Sequence, residues 1–158
     1  MSNDLQDFQK ELKTLGDKIP VSASKIGSIT KLAMKYISDS NQIVEIISSF
    51  IKQCKPEVKL GAMYLIDSIC RASQKLSESE NLYPKNFEIV LPDLFWELTK
   101  CPPKDKDKMK RVLHLWISSN ILSIDVLKKI NKVHFEGFDH SFLIICNQLP
   151  NHQQISIM

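Results

Sequence analysis

Apolar residues return every three or four positions along most of this 158-residue chain, the spacing that lines one face of an α-helix. Leu5, Phe8 and Leu12 mark a first helix over about 4–15, and Gly16 is expected to end it in a left-handed cap. Ser22 suits the N-cap of a second helix, whose buried face carries Ile26, Ile29, Ala33 and Tyr36. A third, over about 40–54, has a broad stripe of Ile43, Ile46, Ile47, Phe50 and Ile51. Pro56 fits the first turn of a fourth helix reaching about residue 75. A polar loop over 76–84 leads to a fifth helix ending near Leu98, with a bend expected at Pro92. Cys101-Pro102-Pro103 is a hard break before a sixth helix over about 104–119, which buries Met109, Val112, Leu113 and Trp116. A seventh, over about 123–133, buries Val126, Leu127 and Ile130. No segment alternates apolar and polar residues, so the expectation is an all-α protein of antiparallel neighbours joined by short loops.

The fourth helix breaks the simple pattern. Tyr64, Asp67 and Arg71 stand at i, i+3 and i+7 and point one way, while Leu65, Ile66, Ile69 and Cys70 cover the rest of the circumference. Polar groups on a mostly buried helix need partners. They form a surface ion pair at i, i+4, an internal hydrogen-bond network, or one wall of a groove for a ligand. The sixth helix has a second stripe beside its buried one: Lys104, Lys108, Arg111 and Leu115. A guanidinium fork matches phosphate oxygens, and Val112 and Leu115 beside it would hold a proline or tyrosine ring. Lys18, Ser22 and Lys25 gather at a helix N-terminus, where backbone N–H groups and the macrodipole favour an anion.

Composition sharpens this picture mainly by exclusion. At 43% hydrophobic and 25% charged, residues 1–133 have the makings of one globular domain with a real core. Residues 134–158 end in polar, repetitive sequence and are expected to form a weakly ordered tail. No signal-like N-terminus or long apolar run is present, and four cysteines without a Cys-x-x-Cys pair suggest reduced thiols in a soluble, intracellular protein. The net charge of +3 is too small for a dedicated nucleic-acid binder. It is unevenly spread, since Lys100, Lys104, Lys106, Lys108, Lys110 and Arg111 are offset only by Asp105 and Asp107. No Gly-x-Ser-x-Gly elbow, phosphate-cradling glycine loop or His-Glu-x-x-His motif occurs. His134, His140, Cys146 and His152 recur every six residues, a period that matches no common zinc spacing. Neither an enzyme nor a cofactor is expected.

Four segments together resemble a known family. They are Phe-Ile-Lys-Gln-Cys-Lys-Pro-Glu (50–57), Leu-Gly-Ala-Met-Tyr-Leu-Ile-Asp-Ser-Ile-Cys-Arg (60–71), Leu-Thr-Lys-Cys-Pro (98–102) and Lys-Met-Lys-Arg-Val-Leu-His-Leu-Trp (108–116). In order and spacing, over about residues 4–132, they are similar to the RNA polymerase II CTD-interacting domain, and most of all to that of the SR-related CTD-associated factors. The resemblance implies a right-handed superhelix of seven to eight helices, an architecture shared with VHS and ENTH domains. It also implies a nuclear, monomeric, non-enzymatic binding module for the phosphorylated heptad Tyr-Ser-Pro-Thr-Ser-Pro-Ser, coupling transcription to termination or mRNA 3′-end processing. Carried over by position, Asp67 would accept the heptad tyrosine hydroxyl, with Tyr64 and Arg71 lining the groove. Val112 and Leu115 would hold the tyrosine and proline rings, and Arg111 would meet phosphate on the second-position serine. Lys18, Ser22 and Lys25 would stand near a fifth-position phosphate. The SR-related factors continue into an RNA-recognition motif and Arg/Ser-rich segments that are not within these 158 residues, so no direct RNA binding is implied. The alternative is a trafficking adaptor of the VHS or ENTH type, its lysines facing sorting peptides or phosphoinositides.

Overall fold

A computed structural model describes residues 3–123, 125, 126 and 128–130. Its helices are α1 (Asn3–Lys13), α2 (Ala23–Lys35), α3 (Ser40–Gln53), α4 (Lys59–Ser73), α5 (Tyr83–Leu98) and α6 (Lys106–Ser118). Short 3-10 turns at Thr14–Asp17, Ile37–Asp39, Pro56–Val58 and Pro103–Asp105 precede or follow them. Residues 125, 126 and 128–130 are helical, where the seventh helix was expected. The expected tail over 134–158, including the His134, His140, Cys146 and His152 series, lies outside the described residues.

Each helix packs on the next but one. The odd helices form one layer, α1 on α3 and α3 on α5, and the even helices form the other, α2 on α4 and α4 on α6. The periodic apolar faces meet between the layers, where Phe8, Ile29, Ile43, Ile47, Ile66, Phe87 and Trp116 are fully buried. Two long polar side chains tie the layers. Tyr83 Oη at the start of α5 donates to the Ala33 carbonyl of α2. Lys59, only 3% exposed, donates to the Ile51 carbonyl at the end of α3 and lies 3.9 Å from Glu97 of α5. The Lys59 contacts fix the start of α4, and with it the polar stripe that α4 carries.

Helix ends show where local pattern was a good guide and where it was not. Ser22 caps α2 as expected, its side chain accepting from the Lys25 backbone N–H at 3.1 Å. Gly16, by contrast, is no left-handed cap, because it sits inside a 3-10 turn without a positive φ. Its reason is space: a Cβ there would come within 2.9 Å of Val58 Cγ2. The left-handed cap falls at Asn120, φ 55°. There Asn120 N–H reaches the Ile117 carbonyl at 3.2 Å and Ile121 N–H the Trp116 carbonyl at 3.0 Å, the paired bonds of a Schellman end. Pro92 lies within α5 without dividing it.

Candidate functional site: a groove on the even-helix layer

The groove begins with α4, whose apolar side is wholly committed to the core. Leu65, Ile66, Ile69 and Cys70 have no exposed surface, while Tyr64 is 37% exposed and Asp67 and Arg71 are half-buried. Asp67 Oδ1 accepts from Arg71 Nε at 2.9 Å and from the buried Trp116 indole at 2.8 Å. The stripe is therefore both an i, i+4 pair and a bridge to α6. A fully buried tryptophan requires an acceptor for its N–H, and here that acceptor is the one carboxylate on the facing stripe of α4.

Helix α6 supplies the second wall. Tyr64 shares a cleft with Lys104 and Lys108, and Asp67 meets Trp116 further along. The two pairings advance in the same chain direction, so the two helices run roughly parallel. Arg111 is exposed and Leu115 is 44% exposed, so both can meet a ligand. Val112, expected both on the buried stripe and as a ring-holding residue, is 5% exposed and belongs to the core beneath the groove. The cleft at the Tyr64 end measures about 260 Å³ and is closed by the Ile19-Pro20-Val21 loop, whose Ile19–Pro20 bond is cis.

The third cluster is only partly assembled for an anion. Lys18 is exposed beside the loop. Lys25 Nζ, however, is held by Glu11 Oε1 at 3.0 Å, and Ser28 Oγ donates to the same carboxylate oxygen at 3.3 Å. The Ser22 hydroxyl is already the α2 cap. Lys25 beside Glu11 holds that carboxyl below its ordinary value, so Glu11 stays ionised where a ligand anion would have to compete. Ser68 of α4 bonds Thr30 of α2 at 2.7 Å, fixing this end of the layer to the polar stripe.

Among the described residues the geometry offers hydrogen bonds and charge, and no activated nucleophile. Burial pushes the Cys54, Cys70 and Cys101 thiols up, which keeps them protonated and unreactive at neutral pH. No cluster among the described residues has the His, Cys, Asp and Glu content for a metal ion. Positional reasoning missed Trp116 as the partner of Asp67 and the 19–21 loop as a wall, while Lys104 and Lys108, expected on the second stripe of the sixth helix, line the cleft.

A family model described as the CID domain matches residues 6–130. The chain belongs to the CID family. This CID is 37% identical over 125 residues to human SR-related and CTD-associated factor 4, an alignment covering 78% of this chain and 11% of that protein. It is 34% identical over 128 residues to SR-related and CTD-associated factor 8 of mouse, covering 80% of this chain and 10% of that one. The chain thus spans about a tenth of the length of these curated relatives. Among solved structures, the yeast Nrd1 CID in complex with Sen1 NIM1 superposes with a TM-score of 0.73 at 26% identity, covering 85% of this chain and 100% of that one. The CTD-interacting domain of Seb1 from S. pombe gives 0.70 at 21% identity over 80% of this chain and 93% of that one, a likeness of fold. The all-α superhelix expected from sequence is the fold of this CID.

Proposed function

We propose that this CID is a non-enzymatic, nuclear reader of the phosphorylated C-terminal heptad repeats of RNA polymerase II, serving termination or mRNA 3′-end processing. The observation that carries the reading is the α4–α6 groove, where a carboxylate held by Trp116 stands opposite an exposed Arg111–Leu115 pair. Asp67 Oδ1 is occupied by its two donors, which leaves the other carboxylate oxygen to accept a tyrosine hydroxyl. Arg111, with no ion-pair partner among the described residues, takes a phosphate, and Leu115 packs a ring beside it. The relatives' own names, CTD-associated and CTD-interacting, favour this reading over a trafficking adaptor. Ordering a flexible peptide offsets part of the contact energy, so affinity is expected on the order of micromolar.

Titration of unphosphorylated, singly and doubly phosphorylated heptad peptides, beside sedimentation with phosphoinositide liposomes, tests it. Lipid binding without phosphopeptide binding would sink the reading. Arg111→Ala should reduce affinity for peptides phosphorylated at the second-position serine about fivefold, the scale of an exposed charged contact, and leave unphosphorylated peptide unchanged. An intact phosphate preference in that variant would place the phosphate elsewhere.

The Glu11–Lys25 pair adds a directional expectation. With Lys25 engaged, a fifth-position phosphate gains less than a second-position one, and Glu11→Gln should raise affinity for the fifth-position phosphopeptide about threefold. The pair's stability contribution follows from the sign of the Glu11 shift. A depressed folded value means stabilisation that is full above the unfolded pKa and lost as pH falls through the folded one. Acid titration of Tm should accordingly be flatter for Glu11→Gln below the ordinary glutamate range. Identical acid slopes for the two proteins would remove the pair from the account.

A further inference from the structure

Helix α5, in the odd layer, turns two large apolar side chains to solvent. Ile89 is 77% and Trp96 52% exposed, with half-buried Pro92 between them. Spacings of three and four residues put all three on one stripe, and Ile89 and Trp96 stand about 10 Å apart along the helix at its usual rise. Single exposed apolar residues are ordinary, but three aligned on one helix face, one of them a tryptophan, mark a contact surface. Exposed Lys85, Asp93 and Lys100 border it. Lys100 pairs with Glu97 at 3.1 Å and lies 5.9 Å from the centroid of the Trp96 ring. These charges nearly cancel, so the surface selects an apolar partner rather than a strongly charged one.

The chain itself arrives at this face. Ser123 N–H donates to Glu88 Oε1 at 2.7 Å, one residue before Ile89. Val126 and Ile130 are buried, so the helical residues that follow are committed to the core and leave the stripe uncovered. Beyond them the sequence turns apolar again. Phe135, Phe138 and Phe142 stand at i, i+3 and i+7, the same seven-residue interval that separates Ile89 from Trp96, and Leu143, Ile144 and Ile145 follow. Ile130 is seven residues on from Ser123, about 10 Å at the helical rise. The five residues from there to Phe135 extend up to about 17 Å, so the phenylalanines reach the stripe. We infer that the Ile89–Pro92–Trp96 stripe of α5 is the docking surface for this chain's own segment 135–145. The tether decides between that segment and a second copy. A short flexible link holds the segment at an effective concentration on the order of millimolar, about a thousandfold above another chain at micromolar concentration. Because α5 lies in the odd layer, the docked segment leaves the α4–α6 groove open, and the inference does not rest on the function proposed for that groove.

Fluorescence of the full chain tests it. There are two tryptophans, and Trp116 is fully buried, so acrylamide quenching corrected with Trp96→Phe reads Trp96. Wild type at about 1 µM should give a Trp96 quenching constant about threefold below that of Phe135→Ser/Phe142→Ser, the protection expected when a weak contact is tethered at millimolar concentration. Ile155→Ser/Ile157→Ser, further along the sequence, should quench like wild type, and loss of protection there would place the cover outside 135–145. Equal constants for wild type and Phe135→Ser/Phe142→Ser overturn the inference. Protection that disappears on dilution from about 100 to about 1 µM assigns the stripe to a second copy and overturns it as well. Hydrogen exchange keeps the test open should the phenylalanine variant not fold. Ile89→Asp changes a side chain already in solvent, and it should speed amide exchange over 135–145 about threefold. Unchanged exchange there overturns the docking from the α5 side.

Discussion

Asp67→Asn is expected to weaken every heptad peptide by about ten- to a hundredfold, phosphorylated or not. A hydrogen bond to a charged acceptor contributes roughly 1.5–3 kcal/mol, and each 1.4 kcal/mol is about a factor of ten in affinity. The substitution isolates the ligand bond because asparagine keeps a carbonyl oxygen for Arg71 Nε and the Trp116 indole, the two donors to Oδ1. Only the other oxygen becomes an amide, and it turns from acceptor to donor where the tyrosine hydroxyl arrives. Asp67→Ala is the contrasting case. It leaves a fully buried indole N–H without its acceptor, at roughly 1–3 kcal/mol of folding stability. Isothermal titration with thermal denaturation should therefore show Asn as a binding variant of near-native Tm and Ala as both a binding and a folding variant. Selective loss of phosphopeptides in Asp67→Asn would mean that this carboxylate positions Arg71 or Arg111 and does not receive the tyrosine.

The same residues show how far a sequence can be read. Period and capping residues are local signals, and they placed six helices and the Ser22 cap to within a few residues. Tyr64, Asp67 and Arg71 were legible as a stripe because they share one helix. What each stripe faces is a matter of tertiary contact. Glu11 takes Lys25 from fourteen residues away, and Trp116 meets Asp67 from forty-nine. Gly16 was misread for the same reason: a glycine after a helix suggests a turn, but its cause here is Val58, in another element. The superhelical arrangement and the ligand proposed for the groove came from resemblance to a family, since periodicity stops at the single helix. One signal was available and unused. A tryptophan on a core stripe implies a buried donor, and the α4 stripe offered one carboxylate to receive it.

Gly61→Ala is expected to destabilise the domain by about 1–3 kcal/mol, against the sign that helix propensity gives. In the first turn of α4, glycine to alanine should by propensity alone gain a fraction of the roughly 1 kcal/mol seen in a helix interior. A Cβ at Gly61, however, would lie 2.3 Å from Val21 Cγ2 and 2.7 Å from Val21 Cβ. Rotation about χ1 moves the methyl groups but not Cβ, so the 19–21 loop itself must shift, at the usual cost of overpacking. That loop walls the cleft beside Tyr64, so the shift should reach the peptide as well as Tm. Gly27, in the interior of α2, supplies the internal comparison, since a Cβ there meets nothing within 4 Å. Gly27→Ala should stabilise by up to about 1 kcal/mol and leave peptide affinity unchanged. Pairing Gly61→Ala with Val21→Gly removes the Cβ it would strike, and a double-mutant cycle should return a favourable coupling of at least about 1 kcal/mol. Equal Tm shifts for the two alanine variants would show that the α4–loop contact is loose. The cleft would then be free to widen, and the register between the Tyr64 end and Asp67 would no longer be set by the fold.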